Sequence, residues 1–309
     1  MASVTNKILD KSKTAVIALT TNFLVGLLSI LIALYPRLGE VIRGLLHNNN
    51  VASQSNQLKT NMENKTDKLV VIADELKKKC NELKEKLIKN SSQVKYAYNP
   101  LDYAWEPHQE YIRKYANLGA KTILMGMNPG HGMGNTGIPF GCPKKVKNYL
   151  NIKNLEVKKP KNMHPKRDVF GLECKKPEVS GSRIWGLVEE IYGAPKIAFR
   201  NIYVINHFPL WMFNEKGQNI TPDKLRLGQA KDIFDACDNH LIGVAKILET
   251  KKIVAIGKYA EKMAKNSIST SDYNHIEVKV IPHPSPANPI ANKDKGRIWR
   301  EIVKEILTK

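Results

Sequence analysis

Four short apolar runs, each emptying into a polar or Gly/Pro-rich turn, constrain what this chain can fold into more than anything else in it. They are Thr122 to Met127, Ile202 to Ile205, Ile253 to Ile256 and Val278 to Ile281. Between and after them lie longer stretches with helical spacing: Ser182 to Tyr192, a long one from about Asp223 to Leu248, Tyr259 to Lys265, and Arg297 to Leu307. Strand-length runs alternating with helix-length patterns predict an α/β domain with a mostly parallel sheet. Right-handed crossovers then bring the carboxyl ends of all four strands to one edge, where such sheets keep their ligands. The chemistry is to be sought in the residues just past the end of each strand.

Upstream the pattern changes. Ile72, Leu76, Cys80, Leu83 and Leu87 recur every three or four residues among Lys and Glu, the stripe of an amphipathic helix packed on the body. Lys79 and Lys86 interrupt a heptad seam, so a coiled coil is the lesser reading. From Leu38 to about Asp67 the chain is polar, with Asn48, Asn49 and Asn50 in a row, and reads as a linker. Before it, Thr14 to Tyr35 runs 22 residues without a charge, long enough to cross a bilayer. Lys7, Lys11 and Lys13 precede that run and Arg37 and Arg43 come after it, which sets no orientation. A membrane anchor or targeting segment, a docked apolar helix and a plain N-terminal extension all stay open for it. The expected division is an extension over residues 1–65 and an α/β domain over residues 66–309.

The first strand delivers a fourteen-residue segment, Asn128 to Gly141, in which five residues are Gly. It fits neither the P-loop pattern nor the dinucleotide-binding glycine fingerprint, so a nucleotide-phosphate loop is disfavoured. Asn128 carries an amide able to hold a water molecule or the edge of a heterocycle, and Phe140, between Pro139 and Gly141, offers a flat wall. The second strand delivers Asn206, another amide with one acceptor and two donors, and then His207, Phe208, Pro209 and Leu210. The fourth delivers His283, Pro284, Ser285, Pro286, Ala287, Asn288 and Pro289, where His283 can donate a hydrogen bond to charge developing on a leaving group. Each residue alone is more often an ordinary loop Asn, a core Phe or a structural His. Together, two amides, an imidazole and an aromatic platform at one sheet edge make a pocket for a nucleobase taken out of its stack.

Longer strings of residues are more specific. Tyr98 to His108 reads YNPLDYAWEPH, Gly126 to Gly130 GMNPG, and Thr136 to Gly141 TGIPFG. Further on stand HPKR at His164 to Arg167, GLEC at Gly171 to Cys174, EVSGSRIWG at Glu178 to Gly186, and HPSP with NP and ANK ending at Lys293. In these, from about Ile72 to its last residue, the chain resembles the single-strand-selective monofunctional uracil-DNA glycosylases, the SMUG branch of the uracil-DNA glycosylase superfamily. The resemblance implies a three-layer α/β/α sandwich around a four-stranded parallel sheet. It also implies hydrolysis of the N-glycosidic bond of uracil and 5-substituted uracils such as 5-hydroxymethyluracil in DNA, single- or double-stranded. Carried over by position, Asn128 holds the attacking water and His283 stabilises the departing uracil. Phe140 stacks on the base and Asn206 reads its edge, with Met127, Gly130 and Met133 completing the substrate pocket. Ser285, Pro286, Ala287, Asn288, Pro289, Ile290 and Lys293 fall in the segment that contacts DNA.

Some positions depart from the family pattern. The loop between Gly130 and Thr136 is one residue shorter and carries His131 where a bulky aromatic is usual. Ala287 stands where an Arg is common, and the stretch before Trp299 is longer, so the wedge filling the gap left by a flipped base is either weaker or supplied by Asn288 or Ile290.

Charge fits a polyanionic partner. With 49 Lys and Arg against 29 Asp and Glu the chain carries +20, and removing the 8 basic and 4 acidic side chains of residues 1–69 still leaves +16. Lys144, Lys145, Lys147, Lys158, Lys159 and Lys161 lie beyond the glycine-rich segment and are candidates to track phosphates. Cys80, Cys142, Cys174 and Cys237 show no zinc or cluster spacing, so reduced thiols, no metal and no cofactor are expected. DNA is the expected partner, a monomer the expected state and, from the resemblance, the nucleus the expected compartment, with membrane contact through residues 14–35 the variant. The competing reading is a noncatalytic damaged-DNA-binding protein with a degenerate pocket.

Overall fold

The computed structural model describes residues 65–309. Residues 65–90 are helical, and the side chains turned inward are Leu69, Ala73, Leu76, Cys80, Leu83 and Leu87, the expected stripe with Ile72 at its half-buried margin. Thr14 to Tyr35 and almost all of the polar stretch lie outside the described residues; of that stretch, residues 65–67 are already helical. Among the described residues no helix is long and apolar enough to cross a membrane.

Seven strands come next in chain order: β1 (Tyr96–Tyr98), β2 (Thr122–Gly126), β3 (Ile202–Asn206), β4 (Trp211–Phe213), β5 (Asn219–Ile220), β6 (Lys252–Ile256) and β7 (Glu277–Ile281). The four sequence-predicted runs are β2, β3, β6 and β7, all parallel, in the order β3-β2-β6-β7. Chain direction across the sheet reverses between β2 and β6, the kind of switch point at which α/β folds open a crevice. Ile123, Leu124, Met125, Val204, Ile253, Val254 and Ala255 are almost fully buried, as parallel strands covered on both faces must be. Only the edge strand β7 alternates exposed and half-buried positions.

Helices close both faces. Val179–Tyr192 packs with Pro195–Asn201, which lies on β3, and with Arg297–Thr308, which lies on β7, while Leu227–Leu248 packs with Lys258–Ser269, which lies on β6. The result is the three-layer α/β/α sandwich. Trp185, Phe199, Tyr111 and Trp299 fill the space between layers, each almost completely buried and worth about 3 kcal/mol or more against truncation to Ala.

Two parts differ from the sequence reading. A small antiparallel sheet, β1-β4-β5, stands beside the main one; its strands of two or three residues are too short to show a period. Tyr98, Trp211 and Phe213 meet edge to face within it, with ring centroids 4.7–5.8 Å apart. The glycine-rich segment, read as a loop, contains a short helix, His131–Thr136. Packing overrides propensity there. A Cβ on Gly134 would come within 2.2 Å of the Trp211 ring, and one on Gly132 within 2.7 Å of the Gly141 carbonyl, so the glycines let this helix sit directly on its neighbours.

Candidate active site

β2 and β3 end side by side, with Gly126 and Asn206 as register partners at the carboxyl edge. A Cβ on Gly126 would stand 2.3 Å from Asn206 Oδ1 and 2.5 Å from the Phe140 ring. Hydrogen at this position is what allows the amide and the aromatic ring to share one wall. Asn206 donates through Nδ2 to the sulfur of Met133 at 3.1 Å, while its Oδ1 is buried with no hydrogen-bond partner among the described residues. An acceptor so placed at the cavity wall is open to a donor brought by a ligand. Met133 is presented by the short helix, which Tyr103 fixes by donating to the Gly134 carbonyl at 2.6 Å.

Phe140 is held in the left-handed region at φ 54°, an uncommon state for a bulky residue. Its surroundings determine it. The Phe140 carbonyl accepts from the Cys142 N–H at 2.9 Å, and a Cβ on Gly181 would lie 2.0 Å from that same oxygen. The turn so formed aims the ring across the end of β2, where its centroid is 6.3 Å from that of His283.

The opposite wall is built on the segment after β7. The Ser285 N–H donates to Nδ1 of His283 at 3.1 Å, so in the neutral ring the proton sits on Nε2. Burial holds the His283 pKa below its usual 6.5, and the ring is neutral near pH 7. The loop bearing it is fixed by side chains acting on backbone: Asn288 Nδ2 to the His283 carbonyl at 2.7 Å, Arg183 Nη1 to the Pro284 carbonyl at 2.7 Å, and Trp299 Nε1 to the Pro282 carbonyl at 2.8 Å. Between the walls lies Asn128, whose amide nitrogen donates to the Pro129 carbonyl at 3.1 Å.

These groups border one cavity of about 340 Å³, together with Met127, Gly130, Met133 and Ser285. All the residues expected to touch the base thus converge. Gly130 is exposed with open space around it, so nothing in its surroundings demands glycine. In the expected DNA segment Pro286, Ala287, Pro289, Ile290 and Lys293 are exposed. Asn288 is spent on the loop, donating to His283 and capping the Ile290 N–H at 3.1 Å, which leaves Ile290 as the exposed apolar tip of the pair. His131 does not line the cavity; its ring lies edge-on to Trp211 and its Nε2 is 3.3 Å from Cys174 Sγ. All four cysteines are free and buried, and among the described residues no three His, Cys, Asp or Glu side chains converge as metal ligands. Of the six candidate lysines, Lys145 pairs with Glu189 and Lys147 with Glu173, whereas Lys144, Lys158, Lys159 and Lys161 are exposed without an ion pair among the described residues.

Sequence reasoning assigned no role to Glu178, Ser180, Asn219 and Thr221, which also line the cavity. Glu178 caps the helix Val179–Tyr192. Burial pushes its carboxyl up, while the N–H groups of Gly181 and Ser180 pull it back down. Glutamate is not among the usual N-capping residues, so the sequence carried no clear signal for this role.

Residues 113–306 match the Uracil DNA glycosylase superfamily. The chain is 38% identical over 218 residues to the single-strand selective monofunctional uracil DNA glycosylase of Bos taurus, covering 70% of this chain and 78% of that one. With the Rattus norvegicus protein of the same description it shares 38% identity over 210 residues, 68% and 75% of the two chains. Its fold superposes on the crystal structure of wild-type Pedobacter heparinus SMUG2 with a TM-score of 0.54 over 77% of this chain and 97% of that one, at 15% identity.

Proposed function

Because the chain belongs to the uracil-DNA glycosylase superfamily, in its single-strand selective monofunctional branch, we propose that it cleaves the N-glycosidic bond of uracil in DNA through the cavity between β2, β3 and β7. The observation that carries the reading is the buried, unpartnered Oδ1 of Asn206 beside the Phe140 ring. Uracil offers an N–H flanked by carbonyls along one edge, which supplies the missing donor; cytosine presents a bare ring nitrogen there. Phe140 stacks on the inserted base and Met133 closes the far side.

As the bond from C1′ to N1 stretches, its electron pair passes to the base and negative charge gathers on the base oxygen. His283, neutral and with its proton on Nε2, donates to that oxygen without having to give the proton up. A water held by Asn128 adds its oxygen to C1′, which has become cation-like, and the released proton passes to solvent. No strong base is required, because an oxocarbenium-like centre accepts a weak nucleophile. The departing uracil anion takes a proton from solvent, and the products are free uracil and an abasic site.

The same reading extends to 5-substituted uracils such as 5-hydroxymethyluracil, to a monomer working in the nucleus, and to residues 66–309 as the catalytic domain. Thr14 to Tyr35, if it tethers the chain to a membrane, carries it into the pellet on cell fractionation. The deciding test is incubation of the full chain, in chelator, with a single-stranded oligonucleotide carrying one uracil, scored for free base and alkali-labile strand breaks. Release that vanishes in Asn128→Ala and His283→Leu supports the assignment. Tight binding without release turns it to a noncatalytic reader of damaged DNA.

A further inference from the structure

We infer that the cleft between the helix Val179–Tyr192 and the turn Lys293–Gly296 is an anion site that grips neighbouring backbone phosphates of the DNA strand beside the base-binding cavity; this rests on the proposed action on DNA. The cleft measures about 450 Å³, and three cations line it, Arg183, Lys295 and Arg300. None of the three is ion-paired among the described residues. Arg183 is oriented by uncharged acceptors, the Pro284 carbonyl at 2.7 Å and Asn292 Oδ1 at 2.9 Å, which aim its guanidinium without cancelling its charge. Two carboxylates also border the cleft: Glu178, whose oxygens are taken by the N–H groups of its own helix, and Glu190.

The turn itself sorts charge. Asp294 is drawn off by Arg297, whose Nε lies 2.5 Å from Oδ2 and whose Nη1 also reaches Glu301 at 2.6 Å. Lys295 is left alone, held with φ 51° in the left-handed region between Asp294 at φ 50° and Gly296 at φ 86°. Backbone in such a state persists only where surroundings impose it, and it sets Lys295 on the cleft side of the turn. Arginine and lysine around one opening match the spread charge of a phosphodiester. The cleft also adjoins the catalytic cavity. Glu178 lines both, and Arg183 holds the residue next to His283, so a strand that delivers its base to the cavity brings its neighbouring phosphates here.

The test uses the full chain and a fluorescent, uracil-free single-stranded oligonucleotide, with Kd measured by anisotropy across a series of NaCl concentrations. One double variant, Lys295→Asn with Arg300→Gln, removes two of the three cleft charges and leaves Arg183, which holds the His283 loop, in place; asparagine keeps the left-handed turn accessible. A second, Lys246→Gln with Lys251→Gln, removes the same charge at the opposite, amino-terminal end of β6. Arg300→Gln alone lies on an exposed helical position and keeps the comparison readable should the turn variant misfold. The expected result is a salt slope lower by roughly 1.4 and about tenfold weaker binding for the cleft pair, half that slope change for Arg300→Gln, and little change for the control pair. Equal effects of the two pairs overturn the assignment. So does inorganic phosphate that perturbs the cleft while the DNA slope stays the same, which marks a free-anion site. Uracil release by the unaltered chain, scored separately, tells failure of the glycosylase reading from failure of this one.

Discussion

The two walls of the cavity are held in place by different forces. On the reading wall, Asn206, Phe140 and Met133 are positioned by close contact: a glycine at Gly126, another at Gly181, and apolar side chains packed behind them. On the leaving-group wall, His283 stands on a loop of four prolines and short polar residues that buries little, and its place is fixed by hydrogen bonds from Ser285, Asn288, Arg183 and Trp299. Packing tolerates no added volume and is indifferent to pH. A polar lattice tolerates volume but fails donor by donor. In the proposed reaction, substrate selection and bond breaking therefore rest on independently breakable supports.

The largest effects come from the groups the walls present. His283→Leu and Asn128→Ala are each expected to slow single-turnover uracil release by about 10²–10³, with DNA affinity nearly unchanged. Parental rates in either would remove that residue from the reaction. Next is the reading wall: Gly126→Ala must move Asn206 or Phe140 by the better part of an ångström, and about a hundredfold loss in kcat/KM should result. A thermal melt within a few degrees of the parent would show that the loss is local. Asn206→Asp, which exchanges a donor for an acceptor, should erode the preference for uracil over cytosine; a preference left intact would mean the base edge is read elsewhere.

A smaller effect separates the walls by pH. His283 has a depressed pKa, so release should be flat above about pH 6.5 and fall at lower pH, where a protonated Nδ1 meets the Ser285 N–H donor to donor. The loss should appear in kcat rather than KM, because Asn206, Phe140 and Met133 do not titrate. The smallest effect is Asn288→Ala, which removes two hydrogen bonds from the loop; about 1–3 kcal/mol of local stability should be lost, visible as faster amide exchange over residues 283–290.

In the parallel sheet β2, β3 and β6 were legible because they are covered on both faces and read as apolar runs, and β7 because Val278, Val280 and Ile281 recur around Lys279. Asn128, Asn206 and His283 were legible for a related reason, being among the first polar residues past those runs. Gly126 was not, since its importance comes from Asn206 and Phe140, which lie 80 and 14 residues away. The helix His131–Thr136 hid behind Gly132 and Gly134, which argue against a helix locally and matter only once Gly141 and Trp211 are beside them. Arg183 gave no sign, because a hydrogen bond to the carbonyl of Pro284 leaves no pattern in either segment.

The unpartnered oxygen of Asn206 also bears on turnover. An acceptor that meets the base edge does so whether or not the base is still joined to its sugar, so the same recess also holds the severed base. Free uracil should then linger after cleavage, act as a competitive inhibitor of the next encounter, and raise the melting temperature of the protein in proportion to the logarithm of its concentration.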